Sequence, residues 1–382
     1  MPHASWHTAD FPEFRDRRPW VMQEMIESEP GLAEPILTDP SASALADMVR
    51  AAVDAGAPVA VVGCGTSEHG AMAVAEQIGE ALDGRTAAHS RQAFEAMLDP
   101  WPSGACIGIS HEGGTAATVA AMESARAAGA TIGLITAAPA SPGAKAADHA
   151  LVTPLRDRSW CHTVGYVSPI LGGAAVAAGV AGRSVAADAA ARSLSVAPEV
   201  HDRVREVAAS LFGVTRYLTV GSGADRIAAR ELALKIEEGV RVPATARDLE
   251  TILHGHWVAQ DEGAAVILLM TDPRRADARG ERAAQMLRAA AAIGARTAAI
   301  VTEGTQGSIA ATDLPRDCIV VPAPEGLPSS TGSLLASAPA LQLLTLELVH
   351  LAGVNPDLIR REEAPYRDAA AIAESAFPAA RG

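Results

Sequence analysis

Aromatic side chains are scarce, at 3% of 382 residues, whereas alanine, glycine and valine abound. That balance suits helices packed closely on a sheet and disfavours an aromatic recognition surface or a small β-sandwich. Cysteine is scarce too. Cys64, Cys106, Cys161 and Cys318 stand far apart with no CxxC pair, so neither a disulfide framework nor a zinc knuckle is indicated. Basic residues are outnumbered, 31 Lys and Arg against 45 Asp and Glu, and the net charge of −14 argues against nucleic acid held by bulk electrostatics, leaving room only for a local basic pocket. Long apolar runs are missing. The longest mild one, ILGGAAVAAGVAG at 170–182, falls short of the ~20 residues that cross a bilayer, and the N-terminal stretch has no apolar core for a signal peptide. What is present is a 49% hydrophobic composition over a length sufficient for two full cores. The expectation is a soluble, cytoplasmic protein of a reducing compartment, with no membrane or nucleic-acid partner.

Apolar runs bounded by turn residues predict strands at 58–63, 105–110, 131–136 and 150–154, and again at 216–221, 264–271, 297–302 and 317–322. Helical spacing predicts helices at 69–82, 116–129, 224–238 and 279–293, a helical linker over 183–212 and a closing helix over 337–352. The pairs VGCGT and VGSGA, TIGLIT and TAAIVT, LVTP and IVVP recur at a separation of about 160 residues, which reads as one β/α module duplicated. Strand–helix alternation implies an α/β fold with parallel sheets covered by helices, and ligands at the carboxyl ends of the strands. The expected division is an N-terminal arm over 1–45, a first domain over 46–190, a second over 191–352 and a C-terminal arm over 353–382.

Two strand-to-helix turns carry polar chemistry. In VVGCGTSEHG the third glycine of a dinucleotide fingerprint is replaced by Glu68, which removes the nicotinamide reading. A tight turn remains, delivering the Thr66 and Ser67 hydroxyls and free amides to a helix start; it is either an anion site or a simple cap. In IGISHEGGTAATV the turn Ser110-His111-Glu112-Gly113-Gly114-Thr115 is again a ligand loop at a helix N-terminus, except that Glu112 sets a carboxylate in the middle of an anion cradle.

CGTS followed by a Ser-x-x-Gly-x-Thr turn resembles the sugar isomerase (SIS) domain family, and the duplication resembles the tandem SIS arrangement of the isomerase half of glucosamine-6-phosphate synthase. MQEMIESEPGLAEPIL at 22–37, ELALKIEEG at 231–239, LHG at 253–255 and NPD at 355–357 carry the same resemblance across nearly the whole chain. The synthase's glutaminase half has no counterpart, so synthesis of glucosamine phosphate from glutamine is not expected.

The resemblance implies that Gly65, Thr66, Ser67, Ser110, His111, Glu112, Gly113, Thr115 and Thr163 line a substrate pocket with a phosphate end. It implies Glu238 as the base that moves a proton between C1 and C2, His254 as the ring-opening group and Lys235 as a neighbouring polar contact. It further implies a homodimer whose active sites pool residues of adjoining subunits, and a reaction with no cofactor and no metal. Read by themselves, Glu231 and Lys235 at i, i+4 are a solvated helical ion pair. Glu238, just before Gly239, sits where a helix dipole disfavours a carboxylate, a poor choice for stability and a useful one for a base. His254 and His256, with Glu250 four residues before the first, could ligate zinc but lack a further fixed partner, and a packed or helix-ending histidine is the commoner reading of such a residue.

Three departures stand against the family pattern: Glu112 in place of a serine, SWCHTVGYVSP at 159–169 without the family's lysine, and an arm with Arg360 and Arg361 but no lysine. The function expected is aldose–ketose isomerisation, plain or deaminating, of a sugar phosphate or amino-sugar phosphate. The alternatives are an isomerase of a non-phosphorylated sugar, which rests on Glu112, and a non-catalytic sensor of sugar phosphates.

Overall fold

In a computed structural model the protein is described over residue 7 and residues 11–84 and 88–374. Its strands are β1 (Val59–Gly63), β2 (Ala88–Gln92), β3 (Ala105–Ile109), β4 (Thr131–Thr136) and β5 (His149–Val152). They are followed by β6 (Arg216–Gly221), β7 (Ala244–Asp248), β8 (Ala264–Met270), β9 (Arg296–Thr302) and β10 (Asp317–Val321). The first sheet runs β2-β1-β3-β4-β5 and the second, read from its other edge, β7-β6-β8-β9-β10; every pairing is parallel. Both halves therefore share one topology, and in each the strand order reverses between the first and third strands.

Every residue of β1, β3 and β8 is buried, because a central parallel strand has helices on both faces. Alternate residues feed different cores. Val59, Val61, Ile107 and Ile109 join Ile267, Leu269 and Ile300 in a central core shared by both halves. Val62, Cys106, Ile132 and Leu134 face an outer core, and Val266, Leu268 and Val301 its counterpart on the second sheet. Helices Thr66–Ala81, Val164–Val180, Asp225–Lys235 and Ser329–Ala352 fill the layer between the sheets, whereas Ala116–Ala127 and Ala276–Ala292 cover the outer faces.

The closing helix starts earlier than its sequence pattern suggests, at Ser329, and its first turn is capped by Glu80 of the first half, which accepts hydrogen bonds from the amides of Ser329 (3.0 Å) and Ser330 (2.8 Å). By length and composition it could cross a membrane, yet it is buried on all sides as the core helix between the two sheets. The linker splits into two helices, Ala187–Leu194 and Pro198–Leu211. The edge strands β2 and β7 were not expected: AHSRQ and ATARD are polar, only partly buried, and carry no apolar run for periodicity to detect. The N- and C-terminal arms are clasped together at Asp357, whose carboxylate accepts hydrogen bonds at 2.8 Å from the amides of Val21 and Met22 at the start of helix Val21–Ser28.

Candidate active site

The turns after β1 and β3 lie at the carboxyl ends of adjacent strands where the strand order reverses, the place where open α/β sheets bind ligands. Gly63 must be glycine: a Cβ there would stand 2.3 Å from the Ser67 carbonyl oxygen, so its absence lets the helix begin directly on the strand end. Gly65, with φ of +59°, turns the chain into helix Thr66–Ala81. Ser67 lies half-buried in its first turn and Thr66 is buried. In the second turn the Ser110 hydroxyl donates to Thr115 at 3.3 Å, and Gly113 adopts φ of +62° against Ser141. Thr115 precedes helix Ala116–Ala127 without capping it, so the first-turn amides there keep no intrahelical partner.

The remaining members of this loop point elsewhere. Glu112 is exposed and pairs with Arg156 at 2.8 Å, which draws its carboxylate toward a guanidinium at the surface. His111 is buried beneath the turn, its Nε2 accepting a hydrogen bond from the Asp157 amide at 2.7 Å and its ring packed 5.4 Å from that of His162. Burial, reinforced by His162, pushes the His111 imidazole down to about 4, so it is neutral at physiological pH. The Asp157 carboxylate in turn accepts from the amides of Ser159, Thr163 and Gly165. Thr163 is fully buried at the start of helix Val164–Val180, and its hydroxyl has no hydrogen-bond partner among the described residues.

Facing the first turn across the central layer is a string of charged groups from the second half. Glu231 and Lys235 are both fully buried, which corrects the reading of a solvated helical pair. Lys235 Nζ stands 3.5 Å from Glu231 and makes a shorter contact with Glu238. Burial pushes the Lys235 ammonium down, but the Glu238 and Glu231 carboxylates outweigh it and hold it above the ordinary lysine value. Burial likewise pushes Glu231 up, and the Lys235 charge with a hydrogen bond from His69 brings it below the usual carboxylate range. Glu231 reaches the β1 turn directly, through Thr66 Oγ1 at 3.4 Å and His69 Nδ1 at 2.6 Å.

Local structure explains where Glu238 points. Helix Asp225–Lys235 runs into a π-helical turn, Ile236–Val240, that ends at Arg241 in the left-handed region. One residue is thereby added to the helical register under Glu238, a distortion often found at functional sites. The glutamate keeps Lys235 at i−3 while its side chain stays partly exposed, at 21%.

His254 is not part of this string. Its ring is exposed and Nε2 lies 2.8 Å from Glu250, which Arg282 holds from helix Ala276–Ala292. Among the described residues no cluster of three or more His, Cys, Asp or Glu side chains converges as a metal site. Sequence reasoning missed His69 altogether; the only signal was its place in the first turn after CGTS, and its partner lies 162 residues on.

The second half has the same turns in a different state. Counted from the paired glycines Gly63 and Gly221, Asp225 stands where Ser67 does. Its buried carboxylate accepts from the Thr271 amide (2.9 Å), the Thr271 hydroxyl (2.5 Å), the Asp272 amide (3.0 Å) and the Ser333 hydroxyl (3.1 Å). The cradle of the second half is filled by the protein's own anion.

No curated protein sequence matches the chain. Among solved structures it is similar to the tagatose-6-phosphate ketose/aldose isomerase of Escherichia coli (TM-score 0.74, 20% identity, covering 91% of this chain and 97% of that one). It is also similar to the C-terminal domain of glucosamine-fructose-6-phosphate aminotransferase from Francisella tularensis (TM-score 0.72, 16% identity, 89% and 98% covered). A third likeness is to glucosamine-6-phosphate deaminase from Thermotoga maritima (TM-score 0.66, 17% identity, 88% and 96% covered). At these identities the likeness is one of fold, two SIS-type α/β halves in a single chain. Within it, residues 54–170, which include the whole first sheet and both of its polar turns, match the SIS domain.

Proposed function

We propose that the protein is a cofactor-free aldose–ketose isomerase acting on a phosphorylated sugar or amino sugar, in a cytoplasmic homodimer. The observation that carries this reading is the string Glu238–Lys235–Glu231, in which a partly exposed carboxylate is tied through two buried charges to the turn Gly65-Thr66-Ser67. Exchange of an aldose and a ketose needs a carboxylate that takes the proton from one carbon of the C1–C2 pair and returns it to the other through an enediol. Glu238 has that role, and Lys235 positions it. The turns after β1 and β3, with two helix N-termini, take the phosphate end. The engagement of Glu112 by Arg156 favours the phosphorylated substrate over a neutral one, because the carboxylate is held away from the cradle. Deamination of an amino-sugar phosphate uses the same proton transfer followed by loss of ammonia, and solved relatives of this fold carry the names of a ketose/aldose isomerase and of a deaminase. His254, exposed and without contact to Glu238 in its own chain, serves ring opening at the site of a neighbouring subunit.

The test is proton exchange in deuterated water with the 6-phosphates of glucose, fructose, tagatose and glucosamine, followed by NMR of the C1 and C2 positions, with ammonia release read separately. Solvent deuterium should enter C1 or C2 of at least one of these, and Glu238→Gln should slow that exchange by about 100- to 10,000-fold, the usual contribution of a positioned base. Absence of exchange with all of them would remove the isomerase reading.

A further inference from the structure

His69 lies in the first turn of helix Thr66–Ala81, on the opposite half of the molecule from Glu238, and nothing in the proposed chemistry requires it. Its geometry is nevertheless tightly defined. Nδ1 stands 2.6 Å from Oε2 of Glu231, a carboxylate with no solvent exposure. The other oxygen of Glu231 meets Thr66 Oγ1 and Lys235 Nζ at 3.4 and 3.5 Å. His69 is the one group bonded to Oε2 among the described residues. A lone pair on Nδ1 would face a buried anionic oxygen, so this nitrogen carries the proton and donates it.

We infer that His69 is a positioning residue for the base: by donating to Glu231 it keeps that carboxylate ionised and in place, so that Lys235 is shared between two carboxylates instead of closing on Glu238 alone. This rests on Glu238 being the base. Without the His69 donor, Oε2 is a buried and unsatisfied carboxylate oxygen, a state relieved by protonation or by movement of the side chain. Either outcome removes one of the two counter-charges of Lys235. The ammonium, itself fully buried, then pairs wholly with Glu238 and withholds it from a substrate proton. His69 therefore affects the rate of proton transfer and not the grip on the phosphate end, which belongs to other groups.

His69→Ala and His69→Asn separate this role from a merely structural one, because asparagine places a side-chain N–H near the position of Nδ1 and cannot act as an acid or base. With a sugar phosphate that exchanges deuterium, His69→Ala should lower kcat by about 10- to 100-fold, the scale of a small misplacement of a catalytic group, with KM little changed. His69→Asn should restore most of the rate. The inference is overturned by a folded His69→Ala protein with unchanged kcat, by a loss confined to KM, or by His69→Asn failing as badly as His69→Ala. A second measurement needs no substrate. Melting temperatures of His69→Ala, Glu231→Gln and the double variant form a cycle. His69→Ala should lower the melting temperature in the native background and leave it nearly unmoved when Glu231 is already Gln. If no sugar phosphate exchanges, the isomerase reading fails, and the cycle alone decides the link: additive shifts would sink it, coupled shifts uphold it.

Discussion

The two halves of this molecule share strand order, glycine-ended first strands and polar turns at the same topological position, yet they fill that position differently. In the first half the corresponding residue is Ser67, which brings no carboxylate to that position. In the second, Asp225 reaches across and satisfies Thr271, Asp272 and Ser333 from within. The helices that follow differ in the reverse sense. Counted from the same glycines, the first half has Ala73 and Gln77 where the second has Glu231 and Lys235. Gln77 donates to the Ile170 carbonyl and to Thr331, a purely structural pairing, whereas Lys235 lies between two carboxylates and is followed by a π turn. The shared topology gives two turns and two helices. In the function proposed above, one of each is turned to structural use and the remaining pair makes a single composite site.

The comparison is broken most forcefully at Asp225. Replacing it with alanine should cost about 4 kcal/mol, because several buried donors lose their acceptor together. Phosphate at millimolar concentration should then recover part of the loss in chemical-denaturation curves, since the cradle would again be open to an external anion. The reciprocal change, Ser67→Asp, should leave the fold intact and abolish stabilisation by sugar phosphates. A variant that still binds them as the native protein does would show that the first turn is not the anion site.

A second test uses the group that follows the third strand of the first half, His111, where the second half has Asp272. The buried His111 titrates at about 4 in the folded protein, against about 6.5 when unfolded. Between those values the unfolded chain binds a proton that the folded chain does not, so stability is full above pH 6.5 and falls as the pH drops toward 4. The expected loss is about 2.4 kcal/mol, read by urea unfolding at pH 7 and pH 4.5, and His111→Gln should remove most of that pH dependence. An unchanged slope in the variant would mean that other groups govern acid stability.

The smallest effect concerns Glu112. Its pair with Arg156 is solvent-exposed, so Glu112→Gln should change stability by less than about 1 kcal/mol. It should also leave sugar-phosphate binding within a few-fold of native. A large gain in affinity would instead show that the carboxylate repels the phosphate, and would shift the reading toward neutral sugars.

Much of this was legible in the chain and some was not, for definable reasons. Central strands such as β1, β3 and β8 announce themselves as continuous apolar runs because both their faces are covered. The edge strands β2 and β7 do not, since Ser90, Arg91, Arg247 and Asp248 belong to strands with one solvated side. At the site, CGTS and SHEGGT could be recognised as turns from local residue types. The burial of Glu231 and Lys235 could not, because i, i+4 spacing is the same for a solvated pair and for one enclosed by the other half. His69 and Arg156 acquire their roles only through partners far away in sequence. The π turn that sets Glu238 leaves no mark in composition or periodicity.

The internal carboxylate of Asp225 also has a consequence in time. Amides fastened to a side chain of the same protein do not wait for a ligand to become ordered, whereas those of Gly114 and Thr115 have no such partner among the described residues. The second half is thus a finished anvil and the first a face still open to the workpiece. Substrate arrival should slow amide hydrogen exchange along residues 110–118 and leave the already protected stretch 271–272 as it was.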